Sequence, residues 1–154
     1  MIRIPERALG RTGQKVSLVG LGGEGILRTH GHADRAHAVI DEAVGQGITY
    51  FDSARVYDGS EGYFGRYWAG HAGERARIFQ TSKSACRDAD GALADLEYTL
   101  ATLHTDYLDL WQIHDIRTWD DIREIEAEGG ALDAFLQARE EGRVRHIGVT
   151  GHHD

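Results

Sequence analysis

The sequence predicts an α/β protein built on a parallel β-sheet, and three observations lead to that class. Short apolar, β-prone runs alternate with segments of helical periodicity along the chain. Each strand-and-helix unit occupies roughly 30 residues, enough for a right-handed crossover between parallel strands. The 20 glycines cluster between these runs, where tight turns are expected. We therefore expect residues 1–154 to form a single domain.

Five apolar runs are predicted as strands. They lie, in chain order, at residues 16–21, 48–51, 77–81, 108–113 and 144–149. Strands buried in a parallel sheet are nearly continuous apolar runs, and these segments have that character. The preceding segment, residues 3–15 with Gly10 and Gly13, is predicted to form a small hairpin.

Helices are predicted where apolar residues recur every three or four positions. The first, residues 33–44, is followed by Gly45, a common residue just after a helix end. In the second, residues 60–71, the aromatic side chains are expected to face the core. Those side chains are Phe64, Tyr67 and Trp68. Further helices are predicted at residues 88–103, 120–127 and 131–140.

Composition and charge exclude several classes of function. The net charge of −8, without any basic run, makes a nucleic-acid partner unexpected. The single cysteine, Cys86, rules out an intramolecular disulfide and fits a reducing compartment. No run of about 18 apolar residues is present to span a membrane, and the N-terminus lacks the apolar core of a signal peptide. We expect a cytoplasmic protein with no membrane partner.

The nine histidines do not predict a metal site. They form only two clusters, His30 with His32 and His152 with His153 and Asp154. Neither cluster has the i, i+4 spacing of a helical ligand pair, and no second cysteine is available. Solvated loop histidines are the favoured interpretation.

Four polar residues stand where successive strands are predicted to end. Asp52 follows the second strand, with Tyr57 five residues later, Lys83 follows the third, and His114 follows the fourth. In parallel α/β proteins the C-terminal strand ends share one face, which carries the chemistry. A carboxylate, a phenol, an ammonium and an imidazole gathered there suggest proton transfer to an oxygen.

Two folds remain open at this point. Residues 20–25 match the G-x-G-x-x-G spacing of a dinucleotide-binding domain, but residues 26–32 have no helical stripe, and Asp52 comes later than the usual ribose-binding acid. A (β/α)₈ (TIM) barrel better explains functional groups after several strands. It needs about 250 residues and eight strands, whereas this chain supplies about five. We therefore expect a partial, truncated barrel whose open edge at residues 144–149 favours self-association.

The ordered motifs resemble the N-terminal part of an aldo-keto reductase over nearly the whole chain. The matching segments are Leu9-Gly-Arg-Thr-Gly13, Val16-Ser-Leu-Val-Gly-Leu-Gly-Gly23, Gly47-Ile-Thr-Tyr-Phe-Asp52-Ser-Ala, Tyr57-Asp-Gly-Ser-Glu61, Thr81-Ser-Lys83, Asp106-Tyr-Leu-Asp-Leu110 with His114, and Gly142-Arg-Val-Arg-His-Ile-Gly-Val149. The resemblance implies a TIM barrel that reduces small aldehydes and ketones with NADPH, or alternatively with NADH.

The resemblance also implies roles for individual residues. Tyr57 would be the general acid, Lys83 would lower the pKa of its phenol, and Asp52 would pair with Lys83. His114 would position the substrate carbonyl or help the proton transfer. The cofactor would be bound by residues from the first, second and fifth strands. Those residues are Gly22, Gly23, Asp52 and Thr150.

The chain departs from the family pattern after the last strand. Where family members place Ser-Asn to hold the nicotinamide carboxamide, this sequence has Thr150-Gly151. Thr150 can replace the hydroxyl, whereas Gly151 cannot replace the amide. This departure keeps a second hypothesis open, in which the half-barrel is a non-catalytic assembly or binding module.

Overall fold

A computed structural model describes residues 4–152 of the chain. It contains seven strands, six helices and one 3₁₀ turn at Gly25–Leu27 within that range. The strands are β1 (Glu6–Ala8), β2 (Lys15–Ser17), β3 (Gly20–Gly22), β4 (Tyr50–Asp52), β5 (Phe79–Ser84), β6 (Leu108–Ile113) and β7 (Val144–Val149). The helices are α1 (Ala33–Gly45), α2 (Ser60–Gly70), α3 (Ala72–Arg75), α4 (Ala89–Leu103), α5 (Trp119–Glu126) and α6 (Ala131–Glu140).

Strands β3 to β7 form a parallel sheet in which spatial order follows chain order. A doubly wound dinucleotide domain requires a reversal of strand order at its binding crevice. The sheet has no such reversal, so the dinucleotide-domain alternative is wrong. Sequential parallel strands are the pattern of a barrel, and they confirm the expected partial barrel of five strands.

The N-terminal segment differs in part from its prediction. β1 and β2 form the expected antiparallel hairpin, although Arg3 lies outside the described residues. The predicted buried strand at residues 16–21 is wrong as a single element. The Ser17 hydroxyl donates to the Val19 carbonyl at 2.7 Å and closes a turn between β2 and β3. Leu18 and Val19 are consequently 55% and 53% exposed.

The core lies between the sheet and the helices on its outer side. Phe64, Tyr67 and Trp68 are buried as expected. Between β6 and α6, the rings of Trp111 and Phe135 stack with centroids 3.6 Å apart. The buried Trp68 indole donates to Gln80 at 3.1 Å, which satisfies its only polar atom. This packing fixes the orientation of β5, the strand that carries Lys83.

The described helices give no indication of a membrane span. None of them combines the length and the apolar character needed to cross a bilayer.

Candidate active site

Asp52 and Lys83 meet because of strand register. Asp52 pairs with Thr81 across β4 and β5, and Lys83 lies two residues beyond Thr81 on the same face of the sheet. The Lys83 ammonium donates to Asp52 Oδ2 at 2.6 Å and to the Ser53 carbonyl at 2.7 Å. The Thr81 hydroxyl donates to the other carboxylate oxygen at 2.9 Å. With Lys83 5% exposed and the Asp52 side chain 25% exposed, this is a largely buried ion pair with additional hydrogen bonds.

Tyr57 lies on the loop that links β4 to α2. This loop continues the sheet pairing at its start, because the Arg55 amide donates to the Lys83 carbonyl at 3.0 Å. It then turns back, with the Tyr57 amide donating to the Ala54 carbonyl at 2.9 Å. The Tyr57 ring is half-buried, and its centroid lies 4.8 Å from Lys83 Nζ. The hydrogen bond between Arg55 and Lys83 therefore helps to place the Tyr57 ring next to the Lys83 ammonium.

His114 continues β6 by one residue. Its amide donates to the Ser84 carbonyl at 2.8 Å, and its side chain is buried. The imidazole meets the Tyr57 ring edge-on, with centroids 5.6 Å apart and an interplanar angle of 80°. The structure thus brings Asp52, Tyr57, Lys83 and His114 together at the C-terminal ends of three strands.

The pKa of Tyr57 is raised above its ordinary value. Burial is the largest cause, followed by the Asp52 carboxylate and then Glu24, whereas Arg28 acts in the opposite direction. The lowering that the resemblance implies is therefore not found. The Lys83 ammonium is paired directly with Asp52, whose carboxylate partly offsets the field of the ammonium at the phenol.

The pKa of His114 is lowered, chiefly by burial and then by the Lys83 ammonium. Its imidazole is accordingly neutral at neutral pH, and one ring nitrogen then carries a proton that it can donate. The site therefore presents a protonated phenol next to a neutral imidazole.

Thr150 contacts the segment that follows His114. Its hydroxyl accepts from the Asp115 amide at 2.9 Å, and its own amide donates to the Ile113 carbonyl at 2.9 Å. Asp115 has a φ of 57°, in the left-handed region that is costly for a residue with a side chain. The Thr150 hydroxyl thus helps to hold a strained residue directly beside His114.

The two candidate cofactor glycines occupy different surroundings. A side chain at Gly23 would overlap the Ser60 hydroxyl and lie 2.8 Å from the Asp52 carbonyl. Gly23 therefore permits close packing of the β3 loop against β4 and the start of α2. A Cβ at Gly22 would meet no atom within 4 Å. Since Gly22 pairs with Asp52 in the sheet, there is open space next to the ion pair.

Glu61 lies behind the site, on the helix side of the sheet. It is 4% exposed, and its carboxylate accepts from Ser82 at 2.6 Å and from Thr99 at 2.8 Å. Burial raises its pKa. Ser82 immediately precedes Lys83, so Glu61 links α2 and α4 to the strand that carries the ammonium. The motif Tyr57-Asp-Gly-Ser-Glu61 contained Glu61, but sequence reasoning assigned it no role.

Arg28 is the other residue near the phenol that sequence reasoning missed. It follows the 3₁₀ turn after β3, and its guanidinium carbon lies 5.1 Å from the Tyr57 ring centroid. No motif or periodicity distinguishes Arg28, because only the folded loop brings it to the site.

The remaining candidate groups are a cysteine, three tryptophans and the histidine clusters. Cys86 is a half-buried thiol that donates to Asp95 at 3.4 Å, and burial raises its pKa. Trp68 and Trp111 belong to the core, whereas Trp119 is 75% exposed. Residues 4–152 contain no group of three or more potential metal ligands. The histidine cluster at residues 152–154 lies partly outside the described residues.

Comparison with known proteins identifies the family. Residues 19–153 match the model of the aldo/keto reductase family. The chain belongs to the aldo/keto reductase family. The match covers the five sheet strands and all four residues of the predicted centre, so the resemblance seen in the motifs is confirmed.

Individual aldo/keto reductases resemble the chain along almost its whole length. L-galactose dehydrogenase of Arabidopsis thaliana is 31% identical over 161 residues, which cover 98% of this chain and 50% of that protein. Protein tas of Escherichia coli K12 is 30% identical, over 96% of this chain and 51% of the length of protein tas. The chain thus spans about half the length of the curated relatives it matches.

Solved aldo-keto reductases have the same fold. The holo form of an enzyme from Bacillus halodurans superposes with a TM-score of 0.80 at 26% identity, covering 97% of this chain and 51% of its own. A Bombyx mori aldo-keto reductase in complex with NADP gives a TM-score of 0.74 at 26% identity, over 97% of this chain and 51% of its own. The present sheet corresponds to about half of those barrels.

Proposed function

We propose that this chain carries the proton-transfer centre of an NADPH-dependent oxidoreductase that interconverts small carbonyl compounds and alcohols. The observation that carries the proposal is the buried Lys83–Asp52 pair beneath the Tyr57 ring. His114 lies edge-on to the same ring. Membership of the aldo/keto reductase family supports the reaction class.

Tyr57 is the proposed general acid. Its raised pKa keeps the phenol protonated at neutral pH, so that a proton is present for the carbonyl oxygen at the moment negative charge develops there. The neutral His114 imidazole supplies a second donor toward that oxygen. Lys83 is held by Asp52 and fixes positive charge beneath the phenol, where it stabilises the phenolate that remains after proton transfer.

The residues near the ion pair fit the reactive end of a nicotinamide cofactor. Gly22 leaves open space beside Asp52, and the Thr150 hydroxyl lies next to the His114 segment. In the proposal, Gly22, Gly23, Asp52 and Thr150 border the nicotinamide, with Gly23 acting through loop packing. The bound cofactor supplies the hydride. The choice of NADPH rather than NADH is part of the proposal.

The proposed substrate is a small aldehyde, ketone or corresponding alcohol. Arabidopsis L-galactose dehydrogenase, the sugar dehydrogenase among the relatives described above, supports the inclusion of alcohols that are oxidised in the reverse direction. The cytoplasmic location expected from the single cysteine stays a prediction.

The test is NADPH-dependent reduction of an aromatic aldehyde by the 154-residue chain, compared with Tyr57→Phe. We expect a low rate, because the chain spans half of its relatives, and we expect that rate to depend on Tyr57. Tyr98→Phe, on the exposed surface of α4, is the matched control and should retain the rate. Equal rates in the wild-type chain and Tyr57→Phe would contradict the assignment.

A second candidate function is assembly, and the exposed edge of β7 favours it. Within the described residues β7 pairs only with β6, and Val149 is 63% exposed. An unpaired apolar edge of this kind favours pairing with another chain. Size-exclusion chromatography with light scattering tests this candidate: a monomer that binds no hydrophobic dye would contradict it.

A further inference from the structure

The side chain of Arg28 contacts the loop that carries Tyr57. Its Nη2 donates to the Val56 carbonyl at 3.4 Å, and its Nη1 donates to the two Glu24 carboxylate oxygens at 3.1 and 3.3 Å. The guanidinium carbon lies 5.1 Å from the Tyr57 ring centroid. We infer that Arg28, held by Glu24 and by the Val56 carbonyl, is a positioning residue that sets the charge balance at the Tyr57 phenol.

Backbone packing holds the Arg28 loop against the Tyr57 loop. Gly59 has a φ of 80°, and a side chain there would overlap the carbonyl of Thr29. The two chain segments therefore touch backbone to backbone, next to Arg28 on one side and Tyr57 on the other. Such close approach is available only to glycine.

A second set of contacts joins the segment after Arg28 to the first turns of α2. The hydroxyl of Tyr63, on α2, accepts from the His32 amide at 3.0 Å. The Thr29 hydroxyl lies 3.5 Å from the same oxygen. The segment around Arg28 and the first turns of α2 are thus joined at several points, so the placement of the guanidinium is determined by the fold.

Charged and titratable groups surround the phenol on several elements. The sheet contributes Asp52 and Lys83, the segment after β6 contributes His114 and Asp115, and the β3 loop contributes Glu24 and Arg28. Lys83 is already paired with a carboxylate within the centre. Arg28 is paired instead with Glu24, whose side chain is 55% exposed, and its own is 45% exposed.

The geometry gives the two members of this pair opposite effects on the phenol. The Arg28 cation favours the phenolate, whereas the Glu24 carboxylate disfavours it, and the directions of their contributions to the Tyr57 pKa agree. Because both side chains are half exposed, the effect of each is modest and is weakened by salt. Glu24 makes the larger of the two contributions to the Tyr57 pKa, and Arg28 acts by offsetting it.

This inference rests on the catalytic role proposed for Tyr57, but its test needs no turnover. A fluorinated tyrosine, whose phenol titrates nearer neutral pH than that of tyrosine, is placed at position 57 of the 154-residue chain. Its ¹⁹F NMR signal is then followed against pH at low salt. Arg28→Met should raise the titration midpoint by about half a pH unit, as expected for loss of a nearby charge in solvent-rich surroundings.

Two further variants separate charge from packing. Arg28→Lys keeps the positive charge and should restore most of the wild-type midpoint. Glu24→Gln keeps the size of the side chain, removes the opposing charge, and should lower the midpoint. Arg123→Met is the matched control, since Arg123 forms a comparable exposed pair with Asp120 on α5. It should leave the midpoint unchanged.

The possible results are distinct from those of the reductase assay. An unchanged midpoint in a folded Arg28→Met chain, or an equal change in Arg123→Met, overturns the inference even if reduction depends on Tyr57. A raised midpoint that Arg28→Lys restores supports the charge relationship even if the chain reduces no aldehyde. Circular dichroism at each pH confirms that the variants are folded.

Discussion

The Lys83 ammonium and the Asp52 carboxylate form a buried ion pair, with 2.6 Å between Nζ and Oδ2. Lys83 comes from β5 and Asp52 from the end of β4, so that their contact also joins two neighbouring strands. The Ser53 carbonyl and the Thr81 hydroxyl complete the hydrogen bonds of the pair. A pair of this kind is sensitive to the loss of either partner, since the remaining charge is a buried ammonium or a partly buried carboxylate.

Removing both members of this pair should destabilise the chain by less than the sum of removing each one alone. We expect Lys83→Met to lower the free energy of unfolding by on the order of 3 kcal/mol, because Asp52 is left without its cation. Lys83→Met combined with Asp52→Asn should cost less than the sum of the single changes. Urea denaturation of the three variants measures this coupling, and strict additivity would contradict it.

The adjacent glycines at the end of β3, Gly22 in the strand and Gly23 just after it, should respond differently to replacement by alanine. Gly23→Ala places a methyl group against the Asp52 carbonyl and the Ser60 hydroxyl, and should destabilise the fold by about 1–3 kcal/mol through overpacking. Gly22→Ala meets open space and should change stability by less than about 0.5 kcal/mol. Thermal unfolding compares the pair directly.

The same two variants also test the proposed cofactor site. If Gly22 borders the nicotinamide, Gly22→Ala should weaken NADPH binding, measured by quenching of tryptophan fluorescence, without loss of stability. Unchanged binding would remove Gly22 from the proposed site.

Thr150→Val should loosen the segment beside His114. It removes the hydroxyl that accepts from the Asp115 amide, and a partly buried donor left without its acceptor should cost about 1 kcal/mol, the low end of the range for buried donors. Thr150→Ser keeps the hydroxyl and serves as the control. Hydrogen exchange at the Asp115 amide should accelerate in Thr150→Val and stay slow in Thr150→Ser. Equal protection in both variants would show that the hydroxyl has no such role.

Glu61 should make stability depend on pH in a defined direction. Burial raises the pKa of its carboxyl in the folded chain, so the folded state binds this proton more tightly than the unfolded state does. The stabilisation that this proton gives the folded chain is therefore present in full below the pKa of Glu61 in the unfolded chain. It is lost as the pH rises through the raised pKa of the folded chain. Glu61→Gln keeps an acceptor for the hydroxyls of Ser82 and Thr99, but it has no carboxyl to titrate. Its stability should therefore not fall with rising pH for this reason.

Urea denaturation between pH 4 and pH 7 measures the effect of Glu61. The stability of Glu61→Gln relative to the wild-type chain should increase as the pH rises. Glu140→Gln, on the exposed surface of α6, provides the control for general pH effects. A relative stability that decreases with pH would contradict the prediction.

Local sequence patterns predicted much of the fold and the centre. The apolar runs located the four later strands of the sheet, and the aromatic side chains of α2 lie in the core as expected. The one strand predicted at residues 16–21 failed because a short hydrogen bond from Ser17 to Val19 interrupts an apolar run. Periodicity detects apolar character and does not detect a turn closed by one hydroxyl.

The sequence by itself determined the class of the sheet, the family motifs and the identities of Asp52, Tyr57, Lys83 and His114. Those features depend on residue type and on spacing along the chain, which are present in the sequence. Only the tertiary structure decided that Arg28 lies over the phenol and that Thr150 holds the His114 segment. It also decided the direction of the Tyr57 pKa, because burial and the fields of nearby charges depend on distances between residues that are remote in sequence.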